Sequence, residues 1–410
     1  MLGIFLACLT ALSLSAKISS AQEWGQPVWS DEFNEQVAGT APDAGKWTFE
    51  VGGNGWGNHE LEIYCAVGEA ARAIAATPAP KVCDPQHPNA FQDGRGHLVI
   101  RAMRVSTEPA PVGTWTSARM KTAGLAEFQY GRMEACIRLP VGAGLWPAFW
   151  MLGTQAKWPA GGEIDIMENV PATGGADQGL GPTKVESTIH GPSIVAEGTF
   201  SLTQILPLPN EQRVDDPACH IYGAIISPFM IQMYVDDWKN PFYIRTAADV
   251  PREGRWVYNA PFFFLLNLAV GGDWPGPPDA QTPSPSEMLV DYVRVYKAAA
   301  TGAPKIIRTP PLKIDASRNG TATIEVQAPA NSGFTFLRCT TDQQNTAGQQ
   351  TATCDVDTGN PLNKSVLDFR NAGTQHAKIT MKAPPSSKPL ITISAYSANG
   401  TESHATLSVQ

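Results

Sequence analysis

The sequence lacks a hydrophobic run long enough to cross a membrane. Its most apolar stretch, Leu2 to Leu14, is shorter than the roughly 20 residues that a transmembrane helix needs. Small residues follow at positions 19 and 21, a pattern typical of a secretory signal peptide cleaved after Ala21. A buried core helix is the alternative interpretation. We predict a signal peptide over residues 1–21 and an exported protein, extracellular or periplasmic, with no membrane partner.

The sequence also lacks a cluster of basic residues. It has 30 Lys and Arg residues against 38 Asp and Glu residues, which gives a formal net charge of −8. Nucleic-acid binding depends on clustered cations that neutralise phosphates, so a nucleic-acid partner is not expected. An uncharged polymer suits this surface better, and we expect the chain to act as a monomer.

The cysteines contain no C-x-x-C pair, which argues against a structural zinc site. Of 7 cysteines, Cys8 falls within the predicted signal peptide, and the even number that remains is compatible with disulfides in an exported protein. Spacing suggests two short-range pairs, Cys65–Cys83 and Cys339–Cys354. Cys136 and Cys219 lie in strand-like stretches, where a disulfide or two buried free thiols would fit equally well.

Long helical periodicity is missing throughout. Between residues 24 and 298, short alternating segments such as 96–101, 131–139 and 230–235 are separated by turns, and 37 Gly and 34 Pro residues supply turn positions. Many short strands over so long a stretch predict an all-β fold. We expect a β-jelly-roll sandwich of the concanavalin A-like kind over residues 22–298.

The last part of the chain lacks tryptophan. An Ala-rich and Pro-rich linker is predicted at 299–311, and Thr, Ser, Ala and Asn dominate residues 312–410. Three strand-like segments there favour a small immunoglobulin-like β-sandwich. Because it has no Trp for stacking on sugars, a spacer or stability role is favoured over carbohydrate binding.

One segment, Glu163–Glu168 with the sequence EIDIME, alternates acidic and aliphatic residues and then slips by one. On a regular strand Glu163 and Asp165 share a face, whereas Glu168 would point into the core at a large cost. A one-residue β-bulge near Met167 would return Glu168 to the acidic face. The segment therefore predicts three carboxylates on one concave face.

Such a row of carboxylates suits the cleavage of glycosidic bonds. Like charges at close range cannot all ionise, so one carboxyl stays protonated as an acid while another remains an anion. We assign Glu163 as the nucleophile and Glu168 as the general acid/base of a retaining mechanism, with Asp165 orienting the nucleophile. The alternative is an exposed acidic strand without chemistry. It is weakened by aromatic residues that lie close before the strand and could stack on sugar rings, namely Trp146, Phe149, Trp150 and Trp158. Trp150 would serve equally well as core packing.

Seven ordered motifs carry a resemblance to a known family over residues 24–298. They are SDEFN (30–34), GWGNHEL (55–61), GLWPAFWMLG (144–153), WPAGGEIDIMEN (158–169), STIHG (187–191), NLAVGGDWPG (267–276) and VDYVRVY (290–296). The chain resembles glycoside hydrolase family 16, and most closely its laminarinase-like endo-β-1,3-glucanases. The spacing of the E-x-D-x-x-E segment resembles the laminarinase branch rather than the shorter form of the lichenases.

The resemblance implies the same roles for Glu163, Asp165 and Glu168 as those assigned above from the pattern of the strand. It also implies a set of cleft residues that bind substrate: Trp158, Trp146, His190, Asn58, Arg119 and Trp274. For His190 the alternative is a structural histidine, and for Trp274 a lid packed on the fold. The implied activity is endo-acting, retaining hydrolysis of β-1,3-glucan, with mixed-linkage β-1,3-1,4-glucan also acceptable.

No cofactor is expected for catalysis. Members of the family often hold a structural calcium ion away from the active site, and Glu32 and Asp291 match its usual oxygen donors. Surface or turn-capping acids are the alternative for both residues. An insertion at 65–95, with Cys65 and Cys83, departs from the family pattern and leaves fine substrate preference open.

Three alternatives to β-1,3-glucan hydrolysis remain at this point. The same mechanism could act on another polysaccharide, such as agarose. A non-catalytic β-glucan-recognition protein is a second alternative, although both glutamates are present. A transglycosylase is the third, because a retaining intermediate can be trapped by a sugar instead of water.

Overall fold

The computed structural model describes residues 24–69, 80–105, 114–170, 179–195, 198–298, 303–315, 317–329, 333–342, 352–370, 373–383, 389–398 and 400–409. The predicted signal peptide and most of the predicted linker lie outside these residues. Within them, strands dominate, and no helix is long and apolar enough to cross a membrane.

Two sheets make up the part of the chain before residue 299. The first has seven strands in the order β12-β11-β10-β9-β16-β7-β2, and we call it the cleft sheet. Its strands are β2 (Thr48–Glu50), β7 (Arg119–Lys121), β9 (Leu145–Gly153), β10 (Glu163–Glu168), β11 (Lys184–Pro192), β12 (Thr199–Pro207) and β16 (Phe262–Val270).

The second sheet, the outer sheet, has ten strands, with β15-β14-β13-β8-β17-β5-β6-β3 along its path, β1 beside β17 and β4 beside β5. These strands are β1 (Trp29–Asp31), β3 (Glu62–Tyr64), β4 (Ala90–Gln92), β5 (Leu98–Arg104), β6 (Trp115–Ser117), β8 (Gly131–Arg138), β13 (His220–Ser227), β14 (Met230–Val235), β15 (Tyr243–Thr246) and β17 (Ser286–Tyr296). A short 3₁₀ turn, Pro209–Glu211, follows β12.

One hydrophobic core lies between these two sheets. It is filled by the inward-facing side chains of both sheets, among them Phe149, Met151, Phe264 and Met133, all fully buried. Inward-facing and outward-facing residues alternate along each strand, because successive side chains of a strand point to opposite faces of the sheet. The predicted all-β jelly-roll sandwich is confirmed, and its cleft sheet keeps its other face free to carry polar side chains.

Two smaller sheets follow residue 303. Five strands form one of them, β18 (Lys305–Arg308), β19 (Lys313–Ile314), β20 (Asn319–Gln327), β22 (Thr353–Asp357) and β24 (Thr374–Lys382). Four form the other, β21 (Phe334–Thr341), β23 (Val366–Asp368), β25 (Ile391–Ser397) and β26 (Glu402–Leu407). They enclose a core of their own around Ile324, Ile379 and Ile393. The immunoglobulin-like assignment and the domain boundaries stay predictions.

Three disulfides connect the six cysteines of the described residues. Cys65–Cys83 and Cys339–Cys354 pair as their spacing suggests. Cys136 on β8 bonds to Cys219 just before β13, two neighbouring strands of the outer sheet. This settles the choice that the sequence left open between a disulfide and free thiols.

Candidate active site

A one-residue bulge shapes β10, an interior strand of the cleft sheet between β11 and β9. Glu163 lies opposite His190 and Asp165 opposite Thr188 on β11, but Glu168 lies opposite Glu186. Asp165 and Glu168 are three positions apart, whereas their partners on β11 are two positions apart. The extra residue falls between Asp165 and Met167 in the pairing with β9 as well. The predicted bulge is confirmed.

The bulge separates acidic from aliphatic side chains. Ile164, Ile166 and Met167 are buried in the core between the two sheets. Glu163, Asp165 and Glu168 all line an open cleft of about 620 Å³ on the opposite face. The bulge lets two consecutive residues, Ile166 and Met167, point into the core. On a regular strand Met167 would face the cleft and Glu168 would be buried.

Asp165 lies between two partners in the cleft. Its carboxyl is within hydrogen-bonding reach of Glu163, and its Oδ2 lies 3.2 Å from Nε2 of His190. The other nitrogen of His190, Nδ1, lies 2.7 Å from Oγ of Ser201. Burial, reinforced by the negative charge of Glu163, raises the pKa of Asp165 well above its ordinary value. Asp165 and Glu163 can therefore share one proton, and the pair then carries a single negative charge.

Glu168 is held by an indole. Trp146 donates a hydrogen bond from Nε1 to Oε1 of Glu168 at 2.9 Å. Burial raises the pKa of Glu168 well above its ordinary value, and the charges of Asp165 and Glu163 raise it further, against the lowering effect of the Trp146 hydrogen bond. Glu168 thus keeps its proton at a pH where an ordinary glutamate has lost it, as a general acid requires.

Aromatic and amide side chains line the cleft on the β9, β16 and β7 side of the carboxylates, which we call the aromatic arm. Trp150 donates a hydrogen bond from Nε1 to Oδ1 of Asn267 at 2.7 Å. The guanidinium of Arg119 lies 4.7 Å from the Trp150 ring and 4.9 Å from the Trp56 ring. Trp150 is only half-buried, so the choice between core and cleft wall is decided for the cleft wall.

Three further residues that were predicted to bind substrate also line the cleft. Trp274 packs edge-on against Trp146, with ring centroids 5.3 Å apart, and is part of the cleft wall. Trp158 is 55% exposed at the mouth of the cleft. Asn58 donates from Nδ2 to Oε1 of Glu60 at 2.9 Å and also lines the cleft.

The β11 and β12 side of the carboxylates carries no tryptophan, and we call it the polar arm. It is lined by Glu186, Thr188, His190, Ser201 and Thr203. Glu186 is half-buried, and burial raises its pKa above the ordinary value. The sequence analysis missed Glu186 as a cleft residue. The alternation of buried Val185, Ser187 and Ile189 with cleft-facing 186, 188 and 190 was the signal that could have identified it.

The predicted calcium donors are arranged poorly for a cation. Arg294 donates from Nε and Nη2 to the two oxygens of Glu32 at 3.0 and 2.6 Å, and this pairing lowers the pKa of Glu32. A guanidinium on both oxygens opposes a bound cation electrostatically. Asp291 clusters with the sulfurs of Cys136 and Cys219, which are bonded to each other and offer no thiolate. The donor set does not fit calcium as it stands.

Comparison with known proteins places these features in a family. The model described as the XgeA-like, catalytic GH16 domain matches residues 100–189, which include β10 and most of β11. A beta-glucanase from Rhodothermus marinus is 34% identical over 313 residues, covering 72% of this chain and 93% of the relative.

Two solved structures have the same fold at appreciable identity. The laminarinase catalytic domain from Thermotoga maritima is 36% identical with a TM-score of 0.53, over 68% of this chain and 100% of that chain. The endo-beta-1,3-glucanase from Pyrococcus furiosus is also 36% identical, with a TM-score of 0.53, over 68% of this chain and 98% of that chain. Both are similar to the part of this chain that carries the cleft.

Proposed function

The chain belongs to glycoside hydrolase family 16, and on that basis we propose that it cleaves β-1,3-glucan with retention of configuration, using Glu163 as nucleophile and Glu168 as acid/base. The endo-β-glucanase activity itself follows from the laminarinase-like and β-glucanase relatives. We propose, in addition, the roles of the individual residues, the stereochemistry of the reaction and the export of the protein. The bulge in β10, which puts both glutamates in one cleft, is the observation that carries the proposed mechanism.

In the first step, the carboxylate of Glu163 attacks the anomeric carbon while Glu168 gives its proton to the departing glycosidic oxygen. The C–O bond to the leaving sugar breaks as the bond to Glu163 forms, which gives a covalent glycosyl–enzyme and a shortened chain. The raised pKa of Glu168 supports its role as donor. Asp165, protonated beside Glu163, hydrogen-bonds the nucleophile and fixes its orientation.

In the second step, Glu168 is ionised and takes a proton from a water molecule, which attacks the anomeric carbon and releases Glu163. Two displacements at one carbon restore the original β-configuration. Trp146 supports the change of role, because its indole N–H stabilises the Glu168 carboxylate once the proton has left.

The substrate is a neutral polysaccharide bound along the cleft. The half-buried indoles of the aromatic arm offer flat apolar faces to sugar rings, and Asn58 and Asn267 offer hydrogen-bond partners to hydroxyls. The many carboxylates of the cleft, with Arg119 ion-paired to Glu50 at 2.7 Å, disfavour an anionic polymer. We propose that the protein acts as a monomer on such a chain.

We also propose that the protein is exported after cleavage following Ala21. Three disulfides support an oxidising compartment. Expression in a secreting host and sequencing of the mature N-terminus would test this, with Gln22 expected as the first residue. A mature protein that retains residues 1–21 would contradict it.

Digestion of laminarin tests the activity and its stereochemistry together. We expect a rapid fall in polymer length with oligosaccharide products, and β-anomers in the first NMR spectra before mutarotation. Product of the α-configuration at early times would rule out retention. Agarose, mixed-linkage glucan and added acceptor sugars in parallel reactions separate the alternative substrates and transglycosylation.

The two glutamates are distinguished by Glu163→Gln and Glu168→Gln. Both should lower kcat on laminarin by at least about 10²-fold, the lower end for a lost acid or base. An aryl β-glucoside oligomer whose leaving group needs no proton should still glycosylate Glu163 in E168Q, giving a burst of released phenol, whereas E163Q should give none. A burst in E163Q, or near-normal laminarin hydrolysis by either variant, would contradict the assignment.

A further inference from the structure

A second pair of carboxyl groups, Glu60 and Glu62, lies behind the aromatic arm and has no role in the two displacement steps. Glu62 on β3 is fully buried and Glu60, just before β3, is 3% exposed. The two side chains are within hydrogen-bonding reach of each other. Buried carboxyl groups this close cannot both ionise without strong repulsion.

The hydrogen bonds around the pair show which member is the anion. Glu60 accepts from Nδ2 of Asn58 at Oε1, 2.9 Å, and from the hydroxyl of Tyr64 at Oε2, 3.1 Å. Both of its oxygens therefore act as acceptors, as an ionised carboxylate requires. The backbone N–H of Val270 donates to Oε2 of Glu62 at 2.7 Å, while Oε1 of Glu62 is buried and receives no hydrogen bond.

A proton on Oε1 of Glu62 removes both the repulsion between the two carboxyl groups and the unsatisfied hydrogen bonding of Oε1. It turns a buried acceptor without a donor into a donor, and it neutralises one of the two charges. Burial and the charge of Glu60 raise the pKa of Glu62 well above its ordinary value, in agreement with this arrangement.

The charged groups around the pair are engaged with other partners. On β7, Arg119 and Lys121 are both ion-paired with Glu50 of β2. The residues of β6 and β16 are uncharged. Within the described parts of the chain, neither Glu60 nor Glu62 makes an ion pair, and the nearby pair of His59 and Asp273 is exposed.

The pair is connected to the cleft by two routes. Glu60 holds Asn58 directly. On the other side, Asn267 donates from Nδ2 to the hydroxyl of Tyr64 at 3.2 Å, and its Oδ1 receives the indole N–H of Trp150. Asn58, Asn267 and Trp150 all line the cleft.

We propose that Glu60 and Glu62 share one proton and that Glu62, as a positioning residue outside the cleft, holds Asn58 and Trp150 in place for the glucan chain. Loss of the proton leaves two buried anions that separate, and Glu60 then moves away from Asn58 and Tyr64. Substrate binding weakens at high pH for a reason distinct from the ionisation of Glu168. This inference rests on the proposed role of the aromatic arm in binding glucan.

The test measures kcat and KM on laminarin from neutral to alkaline pH for the wild type, Glu62→Gln and the control Glu127→Gln, an exposed residue outside the cleft. A glutamine at 62 accepts from Val270 and donates to Glu60 without a titrating proton. In the wild type and in E127Q, KM should rise about tenfold, the scale of one lost charge-assisted hydrogen bond. In E62Q, KM should stay level, while the alkaline fall of kcat due to Glu168 remains.

Two results would overturn the proposal: a level KM in the wild type, or a KM that rises in E62Q as it does in the wild type. Glu60→Gln, which also removes the shared proton, is the second variant if E62Q fails to fold. It keeps one acceptor oxygen instead of two for Asn58 and Tyr64, so its KM should be higher than that of the wild type at neutral pH but should stay level as the pH rises. Absence of hydrolysis by the wild type at every pH would count against the proposed function instead.

Melting curves test the shared proton without activity. Because the pKa of Glu62 is higher in the folded than in the unfolded state, its contribution to stability is present at low pH and is lost as pH rises through the folded value. The melting temperature of the wild type should therefore fall more steeply on the alkaline side than that of E62Q. Parallel curves would contradict a shared proton.

Discussion

At the scale of single residues, the cleft contains more acids than the three on β10. Glu186 lies directly across from Glu168 on β11, on the same face. Cross-strand neighbours of like charge repel each other, which favours the protonated form of both. Glu186 thus helps Glu168 to remain an acid, although burial of Glu168 and the charge of Asp165 contribute more.

Glu186→Gln should move the alkaline limb of kcat/KM to lower pH. The reaction needs Glu168 protonated, so activity is lost as pH rises through the pKa of Glu168. Removing the charge of Glu186 lowers that pKa, and Glu163, Asp165 and the indole of Trp146 stay in place around it. The pH–rate profile of the variant is compared with that of E127Q, which should match the wild type. An unchanged limb, or one displaced to higher pH, would show that Glu186 does not act on Glu168.

At the scale of strands, the disulfides connect elements over very different lengths of chain. Cys136–Cys219 closes a segment of 83 residues and ties β8 to the start of β13, whereas Cys65–Cys83 closes one of 18. A crosslink restricts the unfolded chain more when the loop it closes is longer. Four strands of the cleft sheet, β9, β10, β11 and β12, lie within the longer loop.

The double variant Cys136→Ala/Cys219→Ala should lose more stability than Cys65→Ala/Cys83→Ala. From loop lengths of 83 and 18 residues, the difference in the free energy of unfolding is about 1.4 kcal/mol. Urea denaturation under non-reducing conditions measures both variants against the wild type. Equal losses, or a greater loss for the shorter loop, would mean that native contacts around the bonds outweigh chain entropy.

At the scale of the whole molecule, the C-terminal sheets pack against the outer sheet rather than standing apart from it. Met230 and Ile244 of β14 and β15 form one buried cluster with Phe334, Phe336, Val366 and Tyr396. The ring of Phe229 lies 5.0 Å from that of Tyr396, at an angle of 61°. From β15, Arg245 donates to the backbone oxygen of Thr203, which lines the polar arm. The contact therefore supports the edge of the cleft sheet, consistent with the predicted stability role.

Phe229→Ala should weaken this contact by about 2 kcal/mol, because a half-buried aromatic ring and its partner lose their packing. Arg370→Ala is the comparison within the same contact. It removes exposed hydrogen bonds to the oxygens of Lys239 and Asn240, the ion pair with Asp368 and the contact of the guanidinium with the Phe334 ring, and should cost about 1 kcal/mol. Calorimetry of the full chain measures both losses. A smaller effect for F229A than for R370A would show that polar contacts, not apolar packing, hold the sheets together.

The all-β architecture and the position of the three acids on β10 could be predicted from the sequence alone. Both depend on local patterns: alternation with period two, and the energetic cost of a carboxylate in a core. The bulge between Asp165 and Glu168 could be predicted because only an extra residue places Asp165 and Glu168 on one face and keeps both carboxylates out of the core. The short-range disulfides were likewise accessible from spacing alone.

Which distant residues meet depends on the tertiary structure. Arg294 pairs with Glu32 although the two are 262 positions apart in the chain. Glu186 faces Glu168 through strand register, and the burial of Glu62 follows from the way β3 adds to the outer sheet beside β6. Pairings of this kind are set by how the two sheets stack and by which strands are neighbours, and no local pattern in the chain encodes them.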